Sequence, residues 1–207
     1  MSQKYTIQLG SPYTKQEIID AFAIQFDAIH TFFCDIPHMG ETGDEPSVFF
    51  SAPVEIWSPA DNLVHLIISC SSVIQGLTVP KVALRMRFGK AKHESTTLVK
   101  VRTQYTDIAL AGGGVAPAQY IPQVKEVSAT ERTRILAKWQ EKGVAMGKAV
   151  NKWSEEELDA YVLPHPLLGK MTVREILFFT LYHNMHHVND VQRLLNQPEV
   201  EWFEGVL

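Results

Sequence analysis

Two histidines, His183 and His187, stand four residues apart in a stretch whose apolar residues recur at helical spacing. On an α-helix, residues four apart share a face with Cβ atoms about 6 Å from each other, so both imidazoles can reach one ion. Two imidazoles alone make a weak site. A third donor from another element would give three protein ligands and an open position, the arrangement of catalytic zinc. His65 is the leading candidate, because it lies within an otherwise apolar helical segment, about 10 Å of helical rise from its start. A polar ring buried there without a partner is costly. Core histidines bonded to backbone or water are the competing reading for each ring taken singly. Three such rings then need three explanations, whereas one divalent metal accounts for them together. His186 falls off the face shared by His183 and His187 and reads as a surface residue. His30, His38, His93 and His165 read as structural or exposed. His165 stands apart from these because it lies in the Pro-rich turn leading into the His183 helix.

Missing residues narrow the chemistry. A helical zinc protease needs His-Glu-x-x-His, with the glutamate as general base, but the run here is His183-Asn184-Met185-His186-His187. No serine has a nucleophile-elbow context. Asp61 reads as a helix cap, and Asp190 as a surface group or a partner to a ligand histidine. Cys34 and Cys70, the two cysteines, sit in apolar contexts without CxxC spacing and read as buried small hydrophobes. Cys70 is close enough to His65 along its helix to be kept as a minor candidate ligand. Gly112-Gly113-Gly114 lacks the lysine and hydroxyl residue of a phosphate loop and reads as a flexible turn.

These donors need helices to hold them. Four Ser/Thr-x-x-Glu signatures mark helix starts: Thr14 to Glu17, Ser128 to Glu131, Ser154 to Glu157 and Thr172 to Glu175. The first opens a helix with an apolar stripe of Ile18, Phe22, Phe26, Ile29 and Phe33, ending near Pro37. Ser58-Pro59-Ala60-Asp61 adds an N-cap, a first-turn proline and a first-turn acid, and starts a helix that is apolar nearly all round and so is expected at the centre. The third helix carries Ile135, Leu136, Trp139 and Met146, with Gly143 and Gly147 as interruptions. A short helix follows Ser154. The last runs from Thr172 to the Asn196-Gln197-Pro198 stop with Ile176, Thr180, His183, His187, Val191 and Leu194 on one face. Four long helices predict an all-α four-helix bundle. The connector of about fifty residues between the second and third long helices must carry structure of its own, and Leu98 to Leu110 reads as either helical or extended.

The 207 residues fit one domain, 1–207, with no linker clear enough to divide it. A net charge of −4 gives no concentrated basic face, so nucleic acid is not an expected partner. The Lys81 to Lys92 cluster reads as a solvated connector. No apolar leader or membrane-length apolar run is present, which predicts a cytoplasmic, membrane-free protein.

Trp57-Ser58-Pro59-Ala60-Asp61-Asn62-Leu63-Val64-His65-Leu66, His165 through Glu175, and Tyr182-His183-Asn184-Met185-His186-His187 together resemble the DinB/YfiT-like superfamily. The likeness extends to Phe88-Gly89 and Tyr120-Ile121-Pro122 in the connector. It implies a four-helix bundle with a long crossover, often a homodimer, and a metal held by residues matching His65, His183 and His187. Members of known activity include thiol-dependent S-transferases and an isomerase using bacillithiol or mycothiol; many others are described as metal-dependent hydrolases. The expected function is therefore metal-dependent hydrolysis of, or transfer to, a small-molecule substrate, with water or a low-molecular-weight thiol activated at the metal. A non-catalytic metal- or small-molecule-binding protein is the alternative. Zinc or nickel is the expected ion, and iron, manganese or copper also accept imidazole. No motif fixes a substrate or a catalytic group beyond the ligands.

Overall fold

In the computed structural model, residues 9–37 and 47–199 are described. The expectation for His38 lies outside the described residues. Each signature of a helix start is used. Thr14, Ser58, Ser128, Ser154 and Thr172 each accept a backbone N–H three residues on, opening α1 (Lys15–Asp35), α2 (Pro59–Thr78), α5 (Ala129–Val150), α6 (Glu155–Ala160) and α7 (Val173–Leu194). Four of these are full capping boxes. At Ser128 the reciprocal half is absent, because Glu131 turns to a two-point contact with Arg134.

The long helices α1, α2, α5 and α7 form the core, with α1 and α2 each packed against both α5 and α7. The expected stripes of α1 and α5 are buried. Trp139 of α5 stacks on Phe26 at 4.2 Å and donates its indole N–H to the Phe26 carbonyl, so its polar edge is satisfied inside the core. Gly143, one turn further on, explains its own presence in a helix: a Cβ there would lie 3.0–3.1 Å from Phe26. Its absence lets α1 and α5 approach.

The connector between α2 and α5 settles the open reading of Leu98 to Leu110 as helical. After a bend of 101° at the end of α2 comes α3 (Lys81–Phe88), which carries much of the basic cluster. Then α4 (Leu98–Thr103) widens into a π-helical run, Gln104–Leu110, and a single 3-10 turn forms at Ala118–Tyr120. Gly112 and Gly113 lie in a turn that spans residues 111–113.

A two-stranded hairpin, β1 (Val162–His165) and β2 (Gly169–Thr172), replaces the expected Pro-rich turn before α7. Gly169 closes it at φ +75°, a conformation that costs glycine little. The hairpin, α4 and α6 wrap α7, whose residues from Val173 to Met185 are all buried. The expectation that α2 lies at the centre holds for the sides it turns to α5 and α7. Its Val64, Ile67 and Ile68 are only half-buried, and the side of α2 that no helix covers borders a cavity. Arg174, only 1% exposed, ties α7 to the start of the fold by pairing with Asp159 and Glu155 and donating to the Tyr13 carbonyl. Among the described residues no single helix is long and apolar enough to cross a membrane.

Helix propensity favours alanine over glycine by about 1 kcal/mol. Gly143→Ala is nevertheless predicted to destabilise the fold by about 1–2 kcal/mol in urea unfolding, because the stacked Phe26 cannot retreat without leaving Trp139. A gain in stability would show that the α1–α5 contact is loose.

Candidate metal centre

Capping by Ser58 fixes where α2 begins and so sets the height of His65, two turns in. The capping box at Thr172 does the same for His183 and His187 on α7. The three rings meet between the two helices. One ring nitrogen from each lies within 4.8 Å of the others, and the residues are only 3%, 5% and 8% exposed. The Nε2 atoms of His65 and His183 are 3.2 Å apart. Ring centroids are separated by 4.5 Å for His65–His187 and 4.6 Å for His183–His187.

The outer nitrogens reveal which inner ones carry lone pairs. His65 Nδ1 lies 2.7 Å from the carbonyl of Tyr120, which can only accept, so the proton sits on Nδ1 and Nε2 is bare. His187 Nδ1 lies 2.8 Å from Asn62 Oδ1. Asn62 cannot be turned the other way, because its amide nitrogen donates to the carbonyls of Trp57 and Ser58. His187 therefore also donates through Nδ1. His65 Nε2 is thus an acceptor, and at 3.2 Å from His183 Nε2 it is satisfied by a proton on that nitrogen or by a cation between the two. Two nitrogens on one tetrahedral zinc are separated by about 3.3 Å. The donor set thus fits a divalent transition metal, with room for a ligand from outside.

Aromatic rings hold the imidazoles in place. Trp57 stacks on His187 at 5.8 Å and leans on His65 at 4.8 Å, and Phe179 stacks on His183 at 5.0 Å. Asp190 approaches His187 Nδ1 at 3.5 Å and His186 at 3.7 Å and is ion-paired to Arg193. Asp61 is the cap it was expected to be. Cys70 is turned out of the site toward Asn184 Oδ1 at 3.7 Å, and burial pushes its thiol up to about 12, so it is no ligand. Cys34 is exposed rather than buried, because one residue past Phe33 the α1 surface has rotated toward solvent.

The triad opens into a cavity of about 720 Å³ bounded by α2, α3, α7, the hairpin and the connector. His186 lines it beside the triad, half-buried against Tyr182 and Tyr105, so its expected surface role is corrected to one in the cavity wall. His165 lines it as well. Its Nδ1 accepts the backbone N–H groups of Leu167 and Leu168, and burial pushes its pKa down to about 4. His30 and His93 take the structural or exposed places expected of them, the latter against Glu175. Sequence reasoning missed Tyr120, whose contribution is a backbone carbonyl with no residue-type signal. It also gave no role to Asn62, although its place three residues before His65, on the same side of α2, was a usable signal.

Burial holds all three triad histidines below their ordinary pKa of 6.5, His183 and His187 well below, and each ring's positive charge would disfavour its neighbours'. The folded state therefore resists protonation that the unfolded chain accepts near pH 6.5. Stability from these rings is complete above that pH and is lost as pH falls. Metal-free protein is predicted to lose thermal stability progressively between about pH 6.5 and 5, above the range in which carboxylates titrate. A melting temperature constant across that window would contradict neutral burial of the triad.

Comparison with curated proteins and with solved structures gave no match. A family model described as the DinB superfamily matches residues 35–191, which contain all three triad histidines, Asn62 and Tyr120. The chain belongs to the DinB superfamily.

Proposed function

We propose that this protein is a metal-dependent enzyme in which His65, His183 and His187 hold a divalent transition metal, zinc or nickel, for transfer to, or hydrolysis of, a small electrophilic molecule. The observation that carries this is the convergence of three rings, with the outer nitrogens of His65 and His187 tied to acceptors, at the wall of a 720 Å³ cavity. A structural zinc site is closed by four protein ligands, whereas three ligands beside a cavity leave a position for a reactant. When bound, the metal supplies a Lewis acid that favours the deprotonated form of a water or thiol in that position.

The residues around it hold the ligand rings, exclude bulk water and shape the substrate space. Tyr120 and Asn62 fix ring orientation. Trp57 and Phe179 cover two of the rings with apolar surface. Among the described residues no carboxylate lines the cavity, so a conventional carboxylate base for water is lacking. This supports a thiol, with an unperturbed pKa near about 8.5, as the easier nucleophile than water. In that reaction a sulfur–carbon bond forms as the electrophile's leaving group departs, and the thiol proton passes to solvent. Binding of a small molecule without turnover is the second reading, supported by the same large apolar cavity.

Untagged protein is expected to contain one equivalent of transition metal by elemental analysis. His183→Ala and His187→Ala should abolish stoichiometric binding and His186→Ala should retain it. Asn62→Ala should weaken affinity about 10–100-fold through loss of ring orientation. Equal loss in all four would contradict the assignment. For activity, consumption of a chlorinated aromatic electrophile should be metal-dependent and require one of bacillithiol, mycothiol or glutathione. Metal-replete protein that turns over no electrophile with any thiol or with water would favour the binding-only reading.

A further inference from the structure

His165 has a fixed tautomer for a reason unrelated to the triad. Its Nδ1 accepts two backbone N–H groups, from Leu167 at 3.2 Å and Leu168 at 3.0 Å, in the loop of its own hairpin. A nitrogen accepting from two donors cannot carry a proton, so the ring's hydrogen is on Nε2. Among the described residues Nε2 has no hydrogen-bond partner, and it is not among the side-chain atoms shut away from accessible space. With Nδ1 committed to the loop and the ring lining the cavity, Nε2–H is left facing cavity space. Phe179 separates this donor from the triad: its ring is 4.2 Å from that of His165 and 5.0 Å from that of His183. Tyr105 touches both histidines edge-on. The cavity lining is mostly apolar, with Val73, Leu84, Leu163, Leu167 and Ile176 among it, and Arg87 is its one Lys or Arg among the described residues.

We propose that His165 is a ligand-positioning residue, donating Nε2–H to the carbonyl oxygen of an uncharged, largely apolar molecule that extends along the cavity from the triad. This rests on the metal-centre reading only for what happens at the triad end of that molecule. A neutral donor in a mostly apolar cavity favours an acceptor oxygen over a methylene of the same shape, because the hydrocarbon leaves the N–H without a partner. It does not attract an anion as a charged imidazolium would. Since the tautomer is imposed by backbone amides, the donor is present before any ligand arrives.

Two substitutions separate the residue's loop role from its ligand role. Asparagine can present an acceptor near the position of Nδ1 but has nothing at Nε2, so His165→Asn keeps the loop contact and deletes the donor. Glutamine can present an N–H near the position of Nε2, so His165→Gln does the reverse. The probes are acetylnaphthalene and ethylnaphthalene, which match in shape and differ in one carbonyl, titrated into metal-stripped and zinc-loaded protein, with zinc content and melting temperature measured on the same samples. Wild-type protein is expected to prefer the ketone by about tenfold over the hydrocarbon, the scale of one hydrogen bond. The ketone's infrared carbonyl stretch should fall on binding. His165→Asn should lose both the preference and the infrared shift while keeping its zinc content and melting temperature, and His165→Gln should recover part of each. Long-range nitrogen NMR should show the His165 proton on Nε2. A proton on Nδ1, an undiminished preference in His165→Asn, or failure of wild-type protein to bind either probe overturns the proposal. Preference for the ketone in protein that takes up no zinc would sink the metal reading and leave this one standing.

Discussion

Everything in the site depends on packing three imidazoles against one another, out of water, without allowing any of them to become charged. A lone buried histidine can be satisfied by one hydrogen bond. Three whose rings converge through one nitrogen apiece cannot all be satisfied by each other, because the second nitrogen of each ring faces away from the group. The protein resolves this from outside. The Tyr120 carbonyl and the Asn62 amide take the outer protons of His65 and His187, leaving nitrogen lone pairs to converge. A shared cation would satisfy that convergence.

This arrangement explains why the connector is so long and so structured. Tyr120 is reached only after α3 has packed on β1 and α4 on α7, so a segment remote in sequence from His65 completes its surroundings. The same segment leaves one side of α2 uncovered and makes it a cavity wall. The helices thus supply the donors, and the connector supplies their orientation and the space in front of them. Such a division is expected when rigid elements position a site and the segments between them shape its chemistry.

The parts legible in the sequence were those with strong local signals. Cap residues located five helix starts, and the i, i+4 spacing on a core face identified His183 and His187. His65 was legible because a polar ring in an apolar helix demands a reason. The hairpin was not, since its strands are four residues long and Pro164 disfavours an ordinary strand reading. Nor were α3 and α4, which are eight and six residues long and too short to stand without the core they cover. The central position of α7 escaped notice for a related reason: burial on its far side comes from those same short elements. His165 illustrates the limit most clearly. Its tautomer and its place in the cavity wall both depend on a turn that only the folded chain displays.

The most direct measurement of the centre is X-ray absorption fine structure on zinc-loaded protein. Three imidazole nitrogens at about 2.0–2.1 Å, with the outer-ring scattering characteristic of histidine and one further light ligand, are the expected result. A sulfur scatterer at about 2.3 Å, or a shell of oxygen atoms without imidazole, would contradict a site built from His65, His183 and His187.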